Sequence, residues 1–338
     1  MIHLHFSTED LGRIRFAFSP LMEAVTSVRA LSASTPSRLH APWVRQVAAR
    51  LDEVDLELLT AVVRPTGYIP DFLVPPPSTR LSSIEASLDE VAGADLDEVA
   101  AQLSHLAGHR VAQQGAGRPR RERLLRELVD DPEAAVARLV GAFAHYWQMV
   151  IVPYWPRIRA LLQADLGYRL EELAAGGVQQ LFRTLHPLVS FDGDTLRVVK
   201  YYEGHADLRH RGLLLVPCVF AWPDVIVRTG DPGPPTVTYS PRGLGRLWET
   251  PNLQQQSPLA GVLGRTRATI LAQLDLPMST TQLACQVELT PPTLNSHLKA
   301  LEAAGILSAR RDGRSVLYAR TSLGDALLTG PVDAPTGG

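Results

Sequence analysis

Between Ser279 and Arg320 the apolar positions change period twice. Leu283 and Val287 recur at i and i+4, the stripe of a short amphipathic helix. After the turn Glu288-Leu289-Thr290, residues Leu294, Leu298 and Leu301 fall within one narrow arc at about 100° per residue, which predicts a second helix. The period then drops to that of strands. Leu307–Arg311 and Ser315–Arg320 flank Asp312-Gly313, a two-residue hairpin signal. Terminal residues agree with this reading. Ser279 with Gln282 three residues on fits a capping box. Thr290 suits an N-cap, Pro291 the first helical position and Gly305 the C′ position. The prediction is a helix-turn-helix followed by a β-hairpin wing.

The second helix has an opposite face made of Pro292, Ser296, Lys299 and Ala303, with Thr293 and Ala300 beside it. Small, hydroxyl and cationic side chains on one face suit a major groove. His297 lies at the edge of the apolar arc, open to packing or to a phosphate contact. The hairpin carries Arg310, Arg311, Arg314 and Arg320 against Asp312. Guanidinium groups at a loop tip suit phosphate oxygens or a minor groove. A solvated basic hairpin is the alternative.

The runs TPPTLNSHLKALEAAGIL (Thr290–Leu307) and RRDGRSVLYAR (Arg310–Arg320) resemble the ArsR-type bacterial winged-helix repressors. The likeness covers Leu259–Leu328. It implies a homodimer that binds double-stranded DNA and is released by a small-molecule effector. By position it implies DNA contacts at Thr290, Pro292, Thr293, Ser296, His297 and Lys299, with Arg310, Arg311 and Arg314 of the wing. One departure stands out. Metal-sensing members carry Cys-x-Cys at the start of the first helix, where this chain has Ser279 and Thr281, with Cys285 alone further on. A thiolate metal site is not expected.

Upstream, Ile2–Phe6 alternates as a short strand with His3 and His5 on one face. Two histidines lack a third ligand nearby, so a structural role is favoured over a metal. Ser19-Pro20 opens a helix, and helical patterns cover Pro42–Val63 and Ser83–Gly108. Pro75-Pro76-Pro77 is a stiff connector. The basic run Gly115–Arg123 reads as a solvated face paired with nearby acids, or as a further nucleic-acid contact. Asp131-Pro132 starts a helix bearing Phe143, Tyr146 and Trp147, followed by Tyr154 and Trp155. This cluster is either an effector pocket or ordinary core. From Phe191 strands predominate: Thr195–Tyr202, Leu213–Val219, Asp224–Arg228 and Thr236–Tyr239, expected as a small antiparallel sheet. His205, Asp207 and His210 form a ligand-type run between two strands, opposed by Arg209 and Arg211.

The expected architecture is mainly α with small β-sheets. An α+β effector-sensing or dimerisation domain takes 1–249, a linker 250–258, the winged helix-turn-helix 259–328 and a disordered tail 329–338.

The chain has 338 residues, 45% hydrophobic and 20% charged, with a net charge of −2. That sign fits a DNA binder only once it is divided. Ala260–Asp325 holds 7 Lys+Arg against 5 Asp+Glu, and the remainder 26 against 30. Two cysteines exclude a disulfide framework and point to a reducing, cytoplasmic setting. Met1–Phe6 runs directly into Glu9 and Asp10, unlike a signal peptide. The longest apolar run, Gly212–Trp222, contains Pro217 and is too short for a bilayer, so no membrane is expected. No nucleophile elbow, P-loop, GxGxxG, HExxH or CxxC occurs. The expectation is a transcriptional repressor without enzymatic activity or cofactor. The alternatives are an enzyme with an appended winged helix, or a winged helix used for protein contact.

Overall fold

The alternation at the N-terminus becomes the middle of a sheet. Strand β1 (Ile2–His5) buries Ile2 and Leu4 and leaves His3 and His5 on the other face. It belongs to a computed structural model that describes residues 1–33, 37, 39–108, 118–230, 233–248, 258–274, 278–287, 289–312 and 315–329. Expectations for the linker at 250–257, the tail at 330–338, Gly115–Gly117 and Arg314 fall outside the described residues. Two units are present: Met1–Trp155 with Glu172–Pro241, and Pro156–Glu171 with Arg242–Gly338.

The first unit continues with α1 (Thr8–Leu11), β2 (Arg15–Phe16), α2 (Pro20–Ser32), α3 (Ala41–Val47), α4 (Leu56–Val62), α5 (Ile84–Ala92), α6 (Leu96–Gly108), α7 (Arg118–Asp130) and α8 (Pro132–Tyr146). Then come α9 (Trp155–Arg183), β3 (Val189–Asp192), β4 (Thr195–Val198), β5 (Gly204–Asp207), β6 (Leu214–Pro217), β7 (Ile226–Arg228) and β8 (Thr236–Tyr239).

Capping side chains set the helix starts. Ser19 accepts the Met22 N–H at 3.1 Å and Asp131 the Ala134 N–H at 3.0 Å. Two long helical stretches are divided by the same chemistry. Gly93 closes α5, and Asp95 accepts the N–H groups of Asp97 and Glu98 to open α6. Asp55 accepts the Leu58 N–H and starts α4 separately from α3.

The sheet differs from the small antiparallel one expected. There are two mixed sheets, ordered β3-β4-β1-β5 and β2-β6-β8-β7. β1 runs parallel to β5, and β6 runs parallel to both β2 and β8. The N-terminal strands β1 and β2 supply two of these parallel pairings, at sequence separations that local turn signals do not report. The run 205–210 does not simply lie between strands either, because 204–207 is β5 itself.

By length and composition the helical run Pro132–Arg183 is apolar enough to cross a bilayer. Its Leu139, Phe143, Tyr146 and Val150 are instead closed inside the first unit.

The second unit is built from the first part of α9 with α10 (Pro258–Leu263), α11 (Arg265–Gln273), β9 (Met278–Ser279), α12 (Thr280–Val287), α13 (Pro291–Ala303), β10 (Leu307–Asp312), β11 (Ser315–Arg320) and α14 (Ser322–Thr329). Its core holds Ile270, Leu271, Leu283, Leu294, Leu298, Leu301 and Ile306. Ala164 and Tyr168, one turn apart on α9, pack into the same core. Further along, α9 is interrupted by non-helical backbone at Gly176 and Gly177, the latter at φ 63°.

Candidate nucleic-acid interface

α13 is fixed at both ends. Thr290 is extended (φ −69°, ψ 144°) and its carbonyl accepts the Leu294 N–H at 3.0 Å. Its hydroxyl does not cap the backbone as expected. It pairs with the Thr293 hydroxyl at 2.9 Å, on the exposed side. At the other end Gly305 adopts φ 68°. The Ile306 N–H reaches the Leu301 carbonyl at 3.0 Å, and the Gly305 N–H the Glu302 carbonyl at 2.9 Å. That crossed pair is a Schellman motif, which needs a left-handed residue at its centre.

The leucine arc of α13 is buried, so the opposite face is turned outward. Pro292, Thr293, Ser296, Lys299 and Ala303 are exposed, while His297 and Ala300 are half-buried. The Ser296 hydroxyl donates to the Thr293 carbonyl at 2.7 Å and keeps its lone pairs free as acceptors. The face therefore offers hydroxyl groups and one ammonium, with Leu294, Leu298 and Leu301 behind them as a rigid backing.

The wing pairs from Leu307↔Arg320 to Asp312↔Ser315. Asp312, expected in the two-residue loop, is the last paired residue of β10. A third strand, β9, completes the sheet by pairing with β11. Ser279, read as a helix cap, is the last residue of that strand and stands directly before α12.

The wing arginines do not act as one group. Neighbours on a strand point to opposite faces, so Arg310 and Arg311 diverge. Arg310 Nη2 lies 2.7 Å from Glu171 Oε1 on α9. Arg320 is mostly buried, with its Nε 2.7 Å from Asp325 Oδ1 and its Nη1 donating to the Leu271 carbonyl at 3.2 Å. It ties α14 and α11 to the wing. Arg311 is exposed and has no ion-pair partner among the described residues. Thr321 and Gly324 complete the base of the wing. The Thr321 hydroxyl donates to the Gly305 carbonyl at 2.8 Å. A Cβ on Gly324 would stand 2.5 Å from the Ile306 carbonyl oxygen, so only glycine fits there.

Residues 263–308 match a family described as a helix-turn-helix domain. The second unit carries a winged helix-turn-helix domain. Residues 101–243 match a family of unknown function. No curated protein and no solved structure matches the chain. The helix-turn-helix makes this a protein of the DNA-binding transcription-regulator kind.

The unit that carries the winged helix-turn-helix also includes a buried ion pair that no sequence motif announced. Asp165 and Arg169, one turn apart on α9, are both almost fully buried, Oδ1 to Nη2 3.4 Å. Asp165 also accepts the Arg242 N–H at 3.0 Å, and the Arg242 guanidinium lies 4.0 Å above the Tyr168 ring. This arrangement fastens the chain at 242 to α9.

In the first unit the expected ligand clusters resolve differently. Phe143, Tyr146 and Trp147 are core residues; Trp155 meets Trp147 edge-on at 5.0 Å, and Tyr154 is half-buried. The Tyr146 hydroxyl is used by Ser27 at 2.7 Å. A cavity lies elsewhere in this unit, with Arg29, Tyr68, Asp71, Lys200, Asp224 and Arg228 among the residues that line it. β5 brings His205 beside His3, with ring centroids 4.7 Å apart, and Glu203 close by. Those two rings are parallel within 13°. The ligand atoms of His3, Glu203 and His205 all lie within 4.8 Å of one another, so Glu203 is the third group that the sequence pattern does not place near the two histidines. His210 turns instead to Ser7 and Glu9, away from His205. Arg120 pairs with Glu57 on α4, a use of the basic helix within the fold.

Proposed function

We propose that this protein is a sequence-specific repressor that binds its operator as a homodimer and is released or modulated by a small-molecule effector in the cytoplasm, with no catalytic role. The observation that carries the reading is the exposed Thr293-Ser296-Lys299 face of α13 set on a leucine backing, beside a wing that presents Arg311. In a two-fold dimer the two copies of α13 enter successive major grooves about 34 Å apart. The likeness of Thr290–Leu307 and Arg310–Arg320 to ArsR-type repressors supports the same arrangement, with contacts from Thr290, Pro292, Thr293, Ser296, His297, Lys299, Arg310, Arg311 and Arg314. An effector acts by binding one dimer geometry better than the other.

Genome-wide mapping of bound DNA supplies the operator. On that fragment, changing Arg311 and Arg314 together to Ala weakens binding about tenfold or more and flattens its salt dependence. Binding that is unchanged and insensitive to salt contradicts the proposal.

A further inference from the structure

The first unit contains a cavity of about 250 Å³. An apolar cavity of about 150 Å³ already accepts benzene, so this one has room for a ring system with a polar substituent. Met22, Ile69, Val74, Val216 and Ile226 provide apolar wall. Tyr201 and Tyr202, edge to face at 5.1 Å, bring aromatic surface to the more exposed side.

The charged side chains in this wall do not balance. Arg29, Lys200 and Arg228 face the carboxylates of Asp71 and Asp224. Lys200 Nζ is 2.6 Å from Asp224 Oδ1, and Arg228 Nε is 4.0 Å from Asp71 Oδ1. Arg29 is the cation left over. It donates to the Gly67 carbonyl, its Nε is buried without an acceptor, and no carboxylate lies within ion-pair distance among the described residues. Burial pulls the Arg29 guanidinium down to about 10, with Asp224 acting in the opposite sense, and it remains charged at neutral pH. The Thr238 hydroxyl in the same wall is also buried without a partner. Buried polar atoms that lack partners mark places where ligand atoms fit.

We propose that this cavity binds an organic monoanion, a carboxylate carried on a flat apolar body, with Arg29 as the anchor for the charge. A single uncompensated cation matches one negative charge, and a phosphate dianion exceeds it. The assignment deepens the effector reading above and rests on it for its regulatory meaning, while binding itself can be measured alone.

The test is calorimetric titration of the full chain with 1-naphthoate, its neutral amide 1-naphthamide, and phenyl phosphate. The carboxylate binds at least tenfold more tightly than the amide and more tightly than the phosphate. Arg29→Met abolishes that preference. If Arg29→Met does not fold, Lys200→Met, which brings the wall to neutrality, weakens naphthoate about fivefold. Equal binding of amide and carboxylate, a preference for the phosphate, no binding at all, or a folded Arg29→Met that binds as before each overturns the site. Operator binding is then read by anisotropy with and without 1-naphthoate. A chain that binds naphthoate with unchanged operator affinity keeps the site and loses effector control. A chain that binds no DNA loses the repressor reading and leaves the site standing.

Discussion

Arg310 on the wing and Glu171 on α9 are 139 positions apart in sequence and 2.7 Å apart in space. On the proposed reading, this carboxylate competes with phosphate for one of the wing's guanidinium groups. The pair is solvent-exposed, so its worth is at most about 1 kcal/mol. Glu171→Gln frees Arg310, and DNA binding tightens two- to fivefold at low salt by fluorescence anisotropy, with the gain shrinking as salt rises. Weaker binding by the variant would show that Glu171 helps hold the wing in place.

Arg311 and Arg320 share a hairpin and separate in role. Arg311→Ala and Lys299→Ala each lower the slope of log affinity against log salt by about 0.9, the share of one phosphate. Their melting temperatures stay close to wild type. Arg320→Ala breaks the contacts to Asp325 and Leu271 and costs about 1 kcal/mol of stability. A normal melt for Arg320→Ala alongside a lost salt slope reverses the assignment.

Gly305 holds a left-handed conformation that a Cβ disfavours. Gly305→Ala destabilises the winged helix-turn-helix by about 1 kcal/mol. Amide hydrogen exchange measures it locally, as faster exchange in α13 and β10 with the first unit unchanged.

Two buried groups give opposing pH responses. Glu23 is closed off and accepts the N–H groups of Val219 at 2.8 Å and Phe220 at 3.3 Å. Burial raises its carboxyl from 4.5 to about 7. Its contribution to stability is thus whole below pH 4.5 and is lost as pH rises to about 7. His40, packed on the Phe220 ring at 5.2 Å, is lowered by burial from 6.5 to about 4. Its contribution is present above pH 6.5 and is lost as pH falls to about 4. From pH 4.5 to 6.5 the two slopes oppose each other. Glu23→Gln unmasks the His40 slope, so stability in urea falls toward acid by roughly 1 kcal/mol per pH unit more than in wild type. Parallel pH profiles for the two proteins would falsify this account.

What was legible from sequence is local chemistry. The leucine arc, Pro291 and Gly305 lie within one helix length, and they specify α13 without help from the rest of the chain. The Ser19 and Asp131 caps belong to the same class. The exposure of Thr293, Ser296 and Lys299 follows from that arc alone.

Long-range pairing was not legible. β5 has the composition of a loop, and only its partner β1 makes it a strand. That Ser279 also pairs with Leu317 of β11 is not visible until the hairpin folds beside it. Four arginines in eleven residues read as one basic edge, but Glu171, Asp325 and Leu271 sort them into different tasks. The aromatic cluster around Phe143 and Tyr146 carries the same letters whether it lines a pocket or fills a core. The charge imbalance around Arg29 needs segments near 29, 71, 200 and 224 to be assembled at once.

The shared helix α9 has a practical corollary for anyone dissecting this protein. Its residues Pro156–Glu171 belong with Arg242–Gly338, so the two units are interleaved along the gene and do not follow one another like beads. Expressing only the stretch after position 242 would strip away Tyr168, the Asp165 anchor and the Glu171 carboxylate together. Such a fragment is an amputated module, and recombination that swapped it between proteins would have to carry a piece of helix from the middle of the chain as well.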